Sequence, residues 1–180
     1  MSLHEIVLPE TQPETEWVRG RALQKMSPTY SHASLQALIA SALLGWLERE
    51  PRGRAGTEWR FRVTPPMGAT RPLIPDVAYL SFDVLAADAP REEVEVPLAA
   101  PTVAFEILSS DDRRSDLDDK IRIYLASGSD AIMVVEPLRK EIEIHEAAGR
   151  TIVGPGEKLT HPALPGFVLD VRVLFGRAGL

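Results

Sequence analysis

Residues 102–108 read TVAFEIL, and the fold is decided there. Val103, Phe105 and Ile107 point to one side of an extended chain; Ala104, Glu106 and Leu108 point to the other. Both sides are apolar apart from Glu106, the pattern of a strand covered on both faces. Downstream, Asp116 to Gly128 (DLDDKIRIYLASG) has helical spacing. Leu117, Ile121, Tyr124 and Leu125 form its stripe, Ser115 to Asp118 reads as a capping box, and Gly128 is the stop. Ala131 to Val135 (AIMVV) is a second buried strand, and Lys140 to His145 an alternating one. Upstream, Leu73 to Leu80 is a strand interrupted by Pro75-Asp76, and Glu58 to Val63 (EWRFRV) alternates like a half-buried strand.

Before these lies residues 27–50 (SPTYSHASLQALIASALLGWLERE), a long helix capped by Ser27 or Thr29 and ended by Pro51. Its apolar stripe is Leu35, Leu38, Ile39, Ala42, Leu43, Trp46 and Leu47. Trp17 to Met26 reads as a hairpin turning at Arg19-Gly20, and residues 1–15 as an N-terminal arm. Residues 83–97 read as an acidic loop; the tail has turns at residues 154–156 and 164–166. Helix, strands, helix and strand in that order predict an α/β class, with one mixed sheet flanked by helices in a single domain over residues 1–180.

The chain has 180 residues and a formal net charge of -6, without cysteine. That excludes a disulfide framework, cysteine-ligated metals and thiol catalysis. The longest nearly apolar run, residues 35–47, is short of a membrane span, and MSLHEIVLPE lacks the regions of a signal peptide, so a cytoplasmic setting without membrane contact is expected. The four histidines show no zinc-ligand spacing, and no glycine-rich phosphate loop is present. Of the basic residues, 16 are Arg and only 4 are Lys: Lys25, Lys120, Lys140 and Lys158. The scarcity draws attention to each lysine as a mobile point charge, although codon bias accounts for it in three of the four.

Two carboxylates stand in apolar strands. An ionised Glu106 in a central strand is costly unless paired or bound to a cation, and Asp76 in LIPDVAYL poses the same problem. A shared hard cation answers both, since Mg²⁺ suits one or two carboxylates with waters and a phosphate. Lys120, at the edge of the second helix's stripe, can point back towards Glu106 and orient a water or steady charge on a phosphate. Each residue also has a plainer reading: Glu106 as the partner of a buried arginine, Asp76 as a turn acceptor, Lys120 as a snorkelling edge residue.

Pro75-Asp76, Glu106 and a following lysine resemble the PD-(D/E)xK nuclease superfamily. Over nearly its whole length the chain is similar to the Uma-type restriction endonuclease family. The similarity runs through Lys25-Met26-Ser27-Pro28 with His32, RPLIPDVA (71–78), FEILS (105–109), DLDDKIRIYLASG (116–128), MVVEP (133–137), and Leu164 to Phe167 on to Phe175. The resemblance implies a restriction endonuclease-like core and Mg²⁺- or Mn²⁺-dependent cleavage of phosphodiester bonds, with DNA as substrate. It implies Asp76, Glu106 and the carbonyl of Ile107 as metal ligands and Lys120 as the catalytic lysine, displaced from the usual position, which is Leu108 here. The chain also departs from the family in Ser109-Ser110, where Ser-Pro is common, and at Ala131-Ile132-Met133, where an aromatic-rich strand is usual. His32 and Glu58 match positions that line the same cleft, although a helix-end residue bonding locally and a solvent-facing strand carboxylate describe them equally well.

The charge is uneven. Arg49, Arg52, Arg54, Arg60, Arg62 and Arg71 face only Glu50 and Glu58 in residues 49–72, a basic segment leading to Asp76. It reads either as a solvated loop or as an approach for a phosphate backbone. Arg113 and Arg114, between Glu106 and Lys120, are further candidates for substrate phosphate. The alternative function is a non-catalytic homo-oligomeric binding or regulatory protein on the same fold. A homodimer is expected, with the tail residues Phe167, Val171, Leu174 and Phe175 either covering the core or forming an interface.

Overall fold

In the computed structural model, which describes residues 4–110 and 112–180, the chain begins with a hairpin of β1 (Thr15–Val18) and β2 (Arg21–Gln24). Arg19 (φ 49°) and Gly20 (φ 73°) both lie in the left-handed region, as a tight two-residue hairpin turn requires. Helix α1 (Tyr30–Arg49) follows, with Thr29 at its N-cap accepting from the His32 amide. Strands β3 (Gly53–Thr57), β4 (Phe61–Val63), β5 (Arg71–Leu73) and β6 (Val77–Ser81) come next. Then come α2 (Arg91–Glu95), β7 (Val103–Ile107), α3 (Arg114–Ala126), β8 (Ala131–Glu136), β9 (Glu141–Glu146) and β10 (Gly149–Val153). The chain ends with β11 (Lys158–Leu159), β12 (Leu169–Asp170) and α4 (Val171–Arg177).

The main sheet has six strands in the order β10-β9-β8-β7-β6-β3. Only β7 and β8 are parallel, and α3 makes the crossover between them. The expected mixed sheet flanked by helices is therefore observed. TVAFEIL lies well inside it, and every residue of β7 is buried. On one face, Val103, Phe105 and Ile107 pack with Leu35, Ile39, Leu43 and Trp46 of α1 and with the tail. On the other, Ala104 packs with Leu117, Ile121 and Tyr124 of α3 and with Phe61, Val63 and Leu73 of the β4–β5 pair. Trp46 joins the first layer together: its ring meets Tyr79 edge-on at 5.3 Å and Phe167 at 5.8 Å, and its indole N–H donates to the Pro165 carbonyl (3.1 Å). Phe167, Val171, Leu174 and Phe175 are buried in this layer, so the tail covers the core.

Several local expectations are corrected. The stretch 73–80 is not one strand: β5 and β6 belong to different sheets, because Pro75 has no N–H to continue the ladder. Glu58 lies outside any strand, in a left-handed conformation (φ 48°) between β3 and β4. Helix α3 starts at Arg114 with Arg113 at its N-cap and no side-chain cap, so Ser115–Asp118 is not a capping box. The arginine-rich segment contains β3, a sheet-edge strand rather than a loop. There the Cβ of any residue other than glycine at position 53 would collide with the Leu80 carbonyl and come within 2.6 Å of the Tyr79 ring. The expected arm is tied down from Glu5, which bridges to Thr70 and holds Arg62, and the hairpin starts two residues earlier than expected, at Thr15.

Candidate active site

The break at Pro75 creates the site. Residues 74–76 leave the sheet ladder, and their backbone groups take side-chain partners instead. The Ile74 N–H donates to Glu16 Oε1 (2.6 Å), and its carbonyl accepts from Lys25 Nζ (3.1 Å). The Asp76 carbonyl accepts from Gln36 Nε2 (2.9 Å) and from the Glu58 amide (3.2 Å). The break thus gathers residues from β1, the end of β2, α1 and the β3–β4 turn around one carboxylate.

Asp76 and Glu106 are neighbours. Val77 pairs with Phe105 in the antiparallel β6–β7 register, so the next step sets Asp76 beside Glu106. The Ile107 amide donates to Asp76 Oδ2 (2.7 Å) and closes the strand end. Asp76 Oδ1 accepts from Lys25 Nζ at 2.6 Å, and His32 Nε2 stands 3.2 Å from Oδ2. Lys25 also donates to Glu58 Oε2 (2.8 Å), while Glu58 Oε1 accepts from Gln36 (2.7 Å). Deeper in, Lys120 Nζ donates to Glu106 Oε2 (2.7 Å) and to Glu16 Oε2 (3.0 Å). Glu106 Oε1 and the Tyr124 hydroxyl are buried without a hydrogen-bond partner among the described residues.

Burial works against every charge here, and the neighbours decide the outcome. Burial alone would raise Asp76, but Lys25 and His32 hold its carboxyl well below the usual range. Lys25 and Lys120 would be lowered by burial; the carboxylates around them hold both ammonium groups above their ordinary value. Burial would lower His32 too, and the bond to Asp76 raises it instead. Glu106 goes the other way: burial, reinforced by Asp76 and Glu16, outweighs Lys120 and pushes it up to about 8. Lys120 is shared with Glu16, so it cannot fully compensate Glu106. Among the described residues, Glu16, Glu58, Asp76 and Glu106 face Lys25, Lys120 and a titratable His32, so negative charge is in excess once Glu106 gives up its proton.

The chain as a whole has counterparts among known proteins. Residues 3–172 match the family described as "Uma2: Putative restriction endonuclease". The chain belongs to this family. Uma2 membership puts it among nuclease-like proteins. No curated protein matches. Among solved structures, that of a "putative nuclease belonging to DUF820 from Anabaena variabilis ATCC 29413" matches with a TM-score of 0.82 and 22% identity. The match covers 95% of this chain and 94% of that one. At that identity the likeness establishes a shared fold.

Of the residues singled out in the Uma2 sequence pattern, the structure brings Asp76, Glu106, Ile107, Lys120, His32 and Glu58 together. Among the described residues Glu106 has no arginine partner; lysine takes that place. Lys120 is not a snorkelling edge residue but is buried (7% exposed). His32 reaches across to Asp76 rather than bonding only within its helix. Arg114 is bound to Asp118 and Glu143 instead of facing the two acids, and Arg113 is exposed. The basic segment is largely spoken for. Arg60 pairs with Glu14 and Arg62 with Glu5; Arg54 donates to the carbonyls of Leu85, Ala86 and Ala87. As a phosphate approach it therefore offers far less charge than its composition suggests.

Sequence reasoning missed Glu16, Lys25 and Gln36 as members of the site. Gln36 lies on a polar face of α1, one turn beyond His32, and that spacing was the available signal. Glu16 carried none. Lys25 was one of the few lysines and stood at the start of a matching stretch.

The residues present fit a hard cation. Among the described residues, Glu106 Oε1 is a buried carboxylate oxygen without a hydrogen-bond partner, Asp76 stands beside it, and the cluster gains surplus negative charge when Glu106 ionises. The donors would be these two carboxylates and a backbone oxygen, with the carbonyl of Ile107, whose amide binds Asp76, as the candidate. Among the described residues, no three His, Cys, Asp or Glu side chains form a cation cage. Two carboxylates would suffice only for a cation such as Mg²⁺, which keeps several waters.

Proposed function

We propose that the chain is a divalent-metal-dependent endonuclease that hydrolyses phosphodiester bonds in DNA, using Mg²⁺ or Mn²⁺. One observation carries the reading: Asp76, just before β6, stands beside Glu106 of β7, with Lys120 Nζ 2.7 Å from Glu106. In this reading Asp76, Glu106 and the Ile107 carbonyl hold the cation, which supplies Lewis-acid activation of water and of the phosphate. Lys120 orients the attacking water and offsets the charge that grows on the phosphate oxygens. Water adds its oxygen to phosphorus and releases a proton to solvent, the ester P–O bond breaks, and the released oxygen takes up a proton from solvent. Glu16 fixes Lys120, while His32 and Lys25 fix Asp76.

The test is nicking of supercoiled DNA with Mg²⁺ or Mn²⁺ against a chelator control. Asp76→Ala and Glu106→Ala are expected to abolish it, and Lys120→Ala to reduce it strongly. Undiminished cleavage by the Asp76 variant would remove the assignment.

A second reading has its own support. Lys120 bonds two buried carboxylates, and Lys25 bonds buried Asp76 and exposed Glu58, so the network also works as a self-compensating ion cluster. The chain would then be a non-catalytic, homo-oligomeric binding protein. Calorimetric titration with Mn²⁺ separates the two, because only the nuclease reading predicts binding that Asp76→Asn removes. Both readings are of a cytoplasmic homodimer. Exposed Leu44, Val168 and Val173, on α1, just before β12 and on α4, support the dimer. Among the described residues, no helix is long and apolar enough to cross a membrane. Sedimentation velocity checks the dimer.

A further inference from the structure

Two strands along from Glu106, on the same face of the sheet, lies another buried carboxylate. Glu106 pairs with Val134 on β8, and Val134 with Glu143 on β9. Strand spacing of about 4.8 Å puts the two acids roughly 10 Å apart. Glu143 is only 3% exposed, and one cation would satisfy it. It has three potential partners: Arg114 Nη2 at 3.1 Å, Arg150 Nη1 at 3.3 Å and His145 Nε2 at 2.7 Å. Arg114 comes from the start of α3, Arg150 from the edge strand β10 opposite His145.

More positive charge converges on Glu143 than one carboxylate needs. The acid is inside and the guanidinium groups are outside: the Arg114 and Arg150 side chains are 46% and 49% exposed. Each still has N–H donors to give. Arg114 uses Nε on Asp118 and Nη2 on Glu143, leaving Nη1; Arg150 uses only Nη1. Asp118 is an exposed competitor, and an exposed ion pair of that kind contributes little. Two other acids lie on this side: Glu141, paired with Arg139, and its register partner Glu136, whose Oε1 accepts from the Leu138 amide.

We infer that Arg114 and Arg150, held side by side by buried Glu143, form a phosphate-binding site for the DNA backbone beside the cleavage centre. His145 Nε2 contacts the same acid at 2.7 Å. The inference rests on the nuclease reading and adds a substrate-positioning site to it. A guanidinium pair of this kind presents several parallel donors to phosphate oxygens, which lysine cannot do.

The test is binding of a fluorescent DNA duplex in chelator, where no cleavage occurs, over a range of salt concentrations. Each phosphate contact contributes about 0.9 to the slope of log K against log salt. Arg150→Gln, on an exposed edge, is expected to lower the slope by about 0.9, and the Arg114→Gln/Arg150→Gln pair by about 1.8, with affinity down on the order of tenfold near physiological salt. Arg91→Gln, on exposed α2, is the control and should leave the slope unchanged. Circular dichroism checks that the variants are folded; Arg150→Gln alone decides the case if the double variant is not. DNA binding with an unchanged slope in folded Arg150→Gln overturns this site and leaves the nuclease reading intact. Failure of the wild-type chain to bind or nick DNA overturns both.

Discussion

Lys120 and Glu106 are each other's condition for being buried. A charge taken out of water needs its partner, and losing one side of a buried pair typically costs about 3–5 kcal/mol. Lys120→Met should therefore destabilise by about that amount, since Glu16 and Glu106 are left facing each other. Urea unfolding measures it, and Lys120→Met combined with Glu106→Gln should recover part of the loss. Loss of activity in Lys120 variants must accordingly be read on protein shown to be folded.

Glu106 also sets a pH dependence. Its carboxyl, ordinarily at 4.5, is pushed up to about 8, so the folded chain keeps a proton that the unfolded chain releases. The resulting stability is full below about pH 4.5 and is lost as pH rises through about 8. His32, also raised, acts in the same direction above its ordinary 6.5. Asp76 is lowered, so its contribution is present above 3.8 and disappears only in strong acid. Cation-free protein should thus unfold at lower urea near pH 8.5 than near pH 5.5, roughly the two sides of this window. Glu106→Gln should flatten the difference, and an unchanged pH slope in that variant would count against the raised carboxyl.

Among elements, β3 and α1 show how the frame supports the site. Gly53 lets β3 lie flush against Leu80 and Tyr79 at the sheet edge. Gly53→Ala should cost about 1–3 kcal/mol through overpacking, seen as a lower urea midpoint with an unchanged m-value. Helix α1 delivers His32 and Gln36 to Asp76 from its first two turns, and its N-cap is Thr29. Thr29→Ala should cost about 1 kcal/mol, a further check on that end of the helix.

Elements were also where reading and structure differed most. β7, β8, α1 and α3 were legible because each is long or wholly apolar on the faces it buries. β3 and β10 were not. GRAGT and GRTIV combine glycine and arginine at sheet edges, where one side of the strand needs no apolar partner. Pro75 was recognised as an interruption, but that it separates two sheets depends on partners far away in the chain.

For the whole molecule, the decisive quantity is the unbalanced charge of the centre. A cation that binds only the folded chain stabilises it by about 2.7 kcal/mol at a hundred times its dissociation constant. Mg²⁺ or Mn²⁺ should therefore raise the melting temperature, and more at pH 8 than at pH 6, because the cation competes with the proton on Glu106. Asp76→Asn should lose most of the shift, and calorimetric unfolding scans with and without cation check both points.

The local pattern alone determined that TVAFEIL is an interior strand, that a helix follows it, and that Asp76 and Glu106 are carboxylates in apolar surroundings needing compensation. Periodicity and the cost of a buried charge are local properties, readable from neighbours in the chain. Tertiary structure decided who compensates them. Glu16 and Lys25 meet Ile74, Asp76 and Lys120 across separations of 49 to 104 residues, and no local pattern encodes such a meeting. It arises because Pro75 frees backbone groups that only distant side chains can satisfy.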